Sequence, residues 1–127
     1  MLFMYDKELV DYILNQILEA TGKIIQRFEH ITNASEFTGS PFGMEKLDSI
    51  CMQLIAIGES LKNIDKITNR ELLCQYPNID WKGAKGIRDI IMHQYFDIDA
   101  DDFFLVCKKH IPPLAQTIKK IIFEINQ

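Results

Sequence analysis

Residue types suited to chemistry concentrate in one segment, Gly86-Ile87-Arg88-Asp89-Ile90-Ile91-Met92-His93-Gln94-Tyr95-Phe96. It places Arg88, His93 and Tyr95 among strongly apolar neighbours. Arginine offers a fixed cationic fork that matches phosphate bidentately. Histidine, with an unperturbed pKa of about 6.5, takes or gives a proton near neutrality. Tyrosine packs its ring and hydrogen-bonds its hydroxyl. The ordinary alternatives are a histidine capping a helix end and an arginine paired with a surface carboxylate.

Other motifs fail. His30, His93 and His110 stand alone, without a second ligand at i+3 or i+4, so no metal site is expected. Asp97-Ile98-Asp99-Ala100-Asp101-Asp102 begins like a calcium loop. However, its sixth position is Asp102 where glycine is needed, and its twelfth is Lys108 where glutamate closes the cage. A solvated turn and helix cap is the better account. Gly83-Ala84-Lys85-Gly86 matches the G-x-x-G loop that clamps RNA in sheet-containing domains. No strand pattern accompanies it here, so the two glycines read as places of close helix approach. No nucleophile elbow, Walker loop or dinucleotide fingerprint occurs.

The elements that must position the segment are helical. Apolar residues at Val10, Ile13, Leu14, Ile17, Leu18, Ile24, Ile25 and Phe28 form one stripe on a long helix. Ile31 to Gly39 has no period and reads as a loop. Ser40-Pro41 is an N-cap followed by proline at the first helical position. A second stripe runs through Met44, Leu47, Ile50, Cys51, Leu54, Ile55 and Leu61. Thr68-Asn69-Arg70-Glu71 is a capping-box pattern that predicts a short helix ending before Pro77. Asp80 caps a helix from Trp81 to about His93 or Tyr95. Asp99 to Asp102 caps a last segment that Pro112-Pro113 kinks or breaks. The expectation is one all-α domain over residues 1–127, an antiparallel bundle of four to five helices.

With 127 residues, 47% hydrophobic and 25% charged, the composition excludes disordered and fibrous classes. No apolar run approaches a membrane span. Met1 to Glu8 lacks a basic region followed by an apolar stretch, so no secretory leader is expected. Cys51, Cys74 and Cys107 form no C-x-x-C and read as buried hydrophobes in a reducing cytoplasm. A net charge of −4 means that any contact with nucleic acid must be local. Lys82, Lys85 and Arg88, with Lys108 and Lys109, could supply a basic patch.

Arg88-x4-His93-x-Tyr95 resembles the R-x4-H-x-Y signature of the HepT toxins, a branch of the HEPN superfamily. Gln53-Leu54-Ile55-Ala56-Ile57-Gly58-Glu59-Ser60-Leu61 is similar to the family's "aIGEal" helix. Pro77-x2-Asp80-Trp81-Lys82-x3-Gly86-Ile87-Arg88-Asp89 resembles its approach to the motif, with Asp89 where many members carry asparagine. His110-Ile111-Pro112-Pro113-Leu114 fits its terminal LP-x-L. The resemblance spans nearly the whole chain.

It implies a HEPN-like bundle and metal-independent RNA cleavage, with Arg88 and His93 catalytic and no cofactor. The residue types suit attack of a ribose 2′-hydroxyl on its phosphate, which needs charge stabilisation and proton transfer at both ends. One histidine fills one of those two proton roles, and a homodimer would supply the second. At about 100° per residue, Arg88 and His93 lie roughly 140° apart on a straight helix, whereas Arg88 and Tyr95 nearly coincide. Either the helix distorts near His93 or the cleft combines residues across the interface. The resemblance further implies a minimal nucleotidyltransferase antitoxin that transfers AMP to Tyr95, whose hydroxyl must then reach solvent, although Ile90, Ile91 and Phe96 are expected to be buried. Asp89 and Glu59 are supporting positions, Glu59 as a polar group on an apolar helix. The competing readings are a non-catalytic dimeric helical subunit serving a nucleotidyltransferase and a bundle with no site.

Overall fold

The computed structural model describes residues 5–127, so Met1 to Met4, the start of the stretch read for a leader, lie outside it. Helix α1 (Lys7–Phe28) opens where the Asp6 side chain accepts from the Leu9 amide at 3.1 Å. It buries Val10, Ile13, Leu14, Ile17, Ala20, Thr21 and Ile24. Ile25 falls off the stripe and is exposed.

The expected loop 31–39 contains a single helical turn, α2 (Ser35–Thr38). Phe37 is the reason. Its ring is fully buried, stacked 6.1 Å from Phe28 and edge-on 5.0 Å from Phe103. That anchor is tertiary, and no local period announces it.

Helix α3 (Pro41–Ile67) starts as expected, with the Ser40 hydroxyl accepting from the Gly43 amide at 3.0 Å and proline in the first turn. Its end departs from expectation. Thr68 does not cap a new helix. It is buried, and its hydroxyl donates back to the Ile64 carbonyl at 2.7 Å, closing α3. Asn69 and Arg70 then take left-handed φ of 52° and 61°, which reverses the chain. The short helix shrinks to a 3-10 turn at Leu73–Gln75. Cys74, on that turn, is exposed, whereas Cys51 and Cys107 are buried.

Helix α4 (Trp81–Gln94) is capped by Asp80, which accepts from the Gly83 amide at 2.9 Å. The buried Trp81 indole donates to the Tyr76 carbonyl at 2.8 Å. A 3-10 turn (Tyr95–Asp97) follows, then α5 (Ala100–Leu105), where Asp99 accepts from the amides of Asp101 and Asp102. The predicted interruption appears as a π-helical turn, Val106–His110, leading into α6 (Ile111–Ile125) with its prolines in the first turn. Prolines lack the amide donor and tolerate only that position, so the helix widens just before them.

Helix α3 packs on both α1 and α4, and α1 packs on α6. The architecture is all-α, with no strand among the described residues. Among the described residues, no helix is long and apolar enough to cross a membrane. The close approach read at Gly83 and Gly86 lies elsewhere. A Cβ on Gly86 would meet nothing within 4 Å, and one on Gly83 would strike its own cap, Asp80. A Cβ on Gly58 of α3 would sit 3.3 Å from the carbonyl oxygens of Ala84 and Lys85 and 3.7 Å from the Arg88 Cβ. Gly58 is where α3 lets α4 in.

Candidate active site

Three polar ties join α4 and its C-terminal turn to α3. Lys85 Nζ meets the Asp65 carboxylate, Arg88 Nε meets Glu59 Oε1 at 3.0 Å, and the Tyr95 hydroxyl donates to Asp48 Oδ1. The partners on α3 descend from 65 to 59 to 48 as those on α4 ascend, so the two helices are antiparallel. Arg88 and Tyr95 therefore share the side of α4 that faces α3, as their helical spacing predicts.

The Arg88 guanidinium is clamped twice. Glu59 takes Nε, and Asp89 Oδ1 accepts from Nη1 at 3.3 Å. The side chain is 40% exposed, so its remaining N–H groups stay available to an incoming anion. Glu59 also lies 3.6 Å from Lys62 Nζ. Both positions expected to support the arginine touch it.

His93 is exposed, and on this unbroken helix five residues put it roughly 140° round from Arg88. Its Nδ1 lies 2.8 Å from the Asp89 main-chain carbonyl. A carbonyl only accepts, so Nδ1 carries the hydrogen and, in the neutral ring, Nε2 holds the lone pair. Asp89 thus serves both motif residues, one through its carboxylate and the other through its backbone. The α-helix runs unbroken through His93 to Gln94, where φ of −126° and ψ of 21° end it. The distortion comes one residue too late to swing His93 round towards Arg88.

Tyr95 is half-buried and packs edge-on against Phe96, ring centroids 5.6 Å apart. The hydrogen bond to Asp48 pushes its pKa above the ordinary phenol value. Asp48 is itself exposed, so the hydroxyl meets its partner at the surface. Asp48 escaped the sequence reading. The spacing of Tyr95 pointed at α3, but nothing along α3 said which acid 47 residues earlier would receive it.

The neighbours correct another expectation. Ile91 is buried, but Ile90, Met92 and Phe96 are 55%, 60% and 97% exposed. The basic patch is partly neutralised, because Lys85 and Arg88 are both ion-paired; Lys82, Lys108 and Lys109 remain exposed. A groove of about 380 Å³ lies between α3, α4 and the π turn, lined by Ile57, Ile87, Leu114, Lys109 and His110 among others. None of the three motif residues lines it. The motif occupies open surface, which suits a macromolecular ligand better than a small one. Among the described residues, no group of three histidine, cysteine, aspartate or glutamate side chains is placed to hold a metal ion.

The family model described as "Ribonuclease HepT-like" matches residues 12–121. A Methanocaldococcus jannaschii protein named "Gamma-glutamylcyclotransferase and putative RNase" is 31% identical over 118 residues, covering 93% of this chain and 50% of that one. A "Putative RNase" of the same organism is 28% identical, covering 94% and 93%. A "Probable ribonuclease HepT" of Thermococcus cleftensis is 27% identical, covering 82% and 91%. Three of the M. jannaschii relatives are matched over only 50%, 61% and 58% of their own length. No solved structure matches this chain.

Proposed function

Because the chain belongs to the ribonuclease HepT-like family, we propose that it is an endoribonuclease, a single HepT-like domain cleaving RNA through Arg88 and His93 without a metal ion. The observation that carries this reading is the state of the two side chains. Arg88 is held ready on the α3 face by Glu59 and Asp89, and His93 presents Nε2 from a different side of the same helix. Nε2 of one His93 takes the proton of the attacking 2′-hydroxyl. Arg88 stabilises the charge that grows on the phosphoryl oxygens. A second proton must reach the departing 5′-oxygen, and the other protomer's His93 delivers it.

That division requires a homodimer. Exposed Ile90, Met92 and Phe96 flank the motif, and a two-fold contact through them removes apolar surface from water while bringing the two motifs together. An arginine and a histidine on different sides of one helix then meet across the interface.

The chain acts as the toxin of a toxin–antitoxin pair in the cytoplasm. Its minimal nucleotidyltransferase antitoxin silences it by transferring AMP to Tyr95. The added phosphate sits on the face that carries Arg88 and competes with RNA for that cation, and the nucleotide's bulk blocks the approach.

The test is cleavage of RNA by the purified chain with EDTA present. Arg88→Ala and His93→Ala each lower the rate by about 100-fold or more, while circular dichroism and the dimer are unchanged. Cleavage lost with EDTA, or unchanged in His93→Ala, replaces this reading with that of a non-catalytic dimeric subunit.

A further inference from the structure

We infer that Asp48 accepts the phenolic proton of Tyr95 when that oxygen is joined to a nucleotide. The inference rests on the reading of Tyr95 as the acceptor, and adds a catalytic residue outside the R-x4-H-x-Y signature.

The three ties between α3 and α4 are not alike. Asp65 and Glu59 meet cations, Lys85 and Arg88, whereas Asp48 meets the Tyr95 hydroxyl. A carboxylate facing a neutral phenol gains no charge pairing from it, only a hydrogen bond, and the hydrogen in that bond is the one the reaction must remove. Phenol is a weak nucleophile until it loses this proton. The hydrogen bond to Asp48 favours the protonated form, so prior ionisation near neutral pH is suppressed. The proton must therefore leave as the new bond forms, to a base already in contact.

The other groups near the phenol do not serve. Cys51, also on α3, is buried and its thiol is pushed up to about 12 by desolvation and by Asp48. His93, two residues back, keeps Nε2 free, but two steps of about 100° put it on the far side of the helix from Tyr95. Phe96 offers only its ring. Asp48 already holds the hydrogen bond.

The step balances as follows. A phenolic oxygen lone pair forms the bond to the α-phosphorus of a nucleoside triphosphate. The bond from that phosphorus to the α,β-bridging oxygen breaks, and pyrophosphate departs with its electrons. The phenolic proton passes to Asp48 Oδ1 and on to water.

The experiment measures the initial rate of AMP addition by intact-mass spectrometry. The chain is incubated with ATP, Mg²⁺ and its cognate minimal nucleotidyltransferase. Wild type gains one AMP and Tyr95→Phe gains none. Asp48→Asn, which keeps an oxygen to accept the hydrogen bond, slows addition about 100-fold, and Asp48→Glu recovers part of the loss. The wild-type to Asp48→Asn rate ratio cancels the partner's own pH dependence. It narrows by about tenfold per pH unit as hydroxide replaces the carboxylate. Circular dichroism confirms that each variant is folded. Equal rates for wild type and Asp48→Asn, or a ratio indifferent to pH, overturn the role of Asp48 and leave Tyr95 as acceptor. A wild type that gains no mass overturns the acceptor reading, and the role of Asp48 falls with it.

Discussion

Helices α1 and α4 are both amphipathic, yet they are used in opposite ways. Of the 22 residues of α1, seven are buried, forming one continuous stripe between α3 and α6. Of the 14 residues of α4, only Trp81 and Ile91 are buried. Helix α4 packs chiefly on α3 and is held there by its capped start and by the polar ties at Lys85 and Arg88, with Tyr95 tying the turn that follows. Its apolar surplus, Ile90 and Met92, faces outward, as does Phe96 just beyond. Where a helix is sandwiched, its residues are spent on the core. Where it lies at the edge, the same kinds of residue are left to meet something else.

Truncation separates the two helices most sharply. Leu14→Ala, at a position with no exposure, costs about 2–5 kcal/mol in denaturant unfolding. Phe96→Asp changes monomer stability by about 0.5 kcal/mol or less, since its ring is 97% exposed, but it shifts light scattering from dimer to monomer. A Phe96→Asp protein that remains dimeric removes the outward face of α4 from the interface.

Alkaline pH probes the sandwiched side next. Cys51 and Cys107 thiols are held at about 12 by burial, against an unfolded value near 9.0. Above pH 9 the unfolded chain releases these protons and the folded one retains them, so stability present below pH 9 is lost as pH rises towards 12. Each thiol contributes a slope of about 1.4 kcal/mol per pH unit. Thermal unfolding of a Cys51→Ala/Cys107→Ala variant shows the flatter profile.

The last probe falls at the seam between core and edge. Gly58→Ala places a methyl 3.3 Å from two α4 carbonyl oxygens, tighter than ordinary contact. Helix α4 yields by a few tenths of an ångström at about 1 kcal/mol, largely offset by alanine's higher helix propensity. The adjacent Arg88 shifts against Glu59, and RNA cleavage falls about tenfold, more than stability alone accounts for. Equal losses in both would make Gly58 a packing position and nothing more.

What could be read locally was read well. Ser40-Pro41, Asp80 and Asp99 cap helices because a short polar side chain reaches an amide two or three residues on, whatever else the chain does. The stripe of α1 follows from spacing alone. Prolines 112 and 113 had to begin a helix or break one. The shared side of Arg88 and Tyr95 also followed from helical period, as did the separation of His93 from both.

Other features were decided only when the chain closed on itself. Thr68-Asn69-Arg70-Glu71 has the letters of a capping box, but Thr68 is buried and its hydroxyl had a nearer carbonyl in the turn before. Phe37 makes a helix of a loop because two rings distant in sequence enclose it. Ile90 and Phe96 read as core by type, yet an edge helix has one packed side, and they lie off it. The partners of the motif, Glu59 for Arg88 and Asp48 for Tyr95, stand 29 and 47 residues away. The sequence by itself determined which residues could bind an anion, move a proton or accept a group, since those are properties of side chains and of one helix's period. Which carboxylate meets each of them depends on the register between two antiparallel helices, and only tertiary packing sets that register.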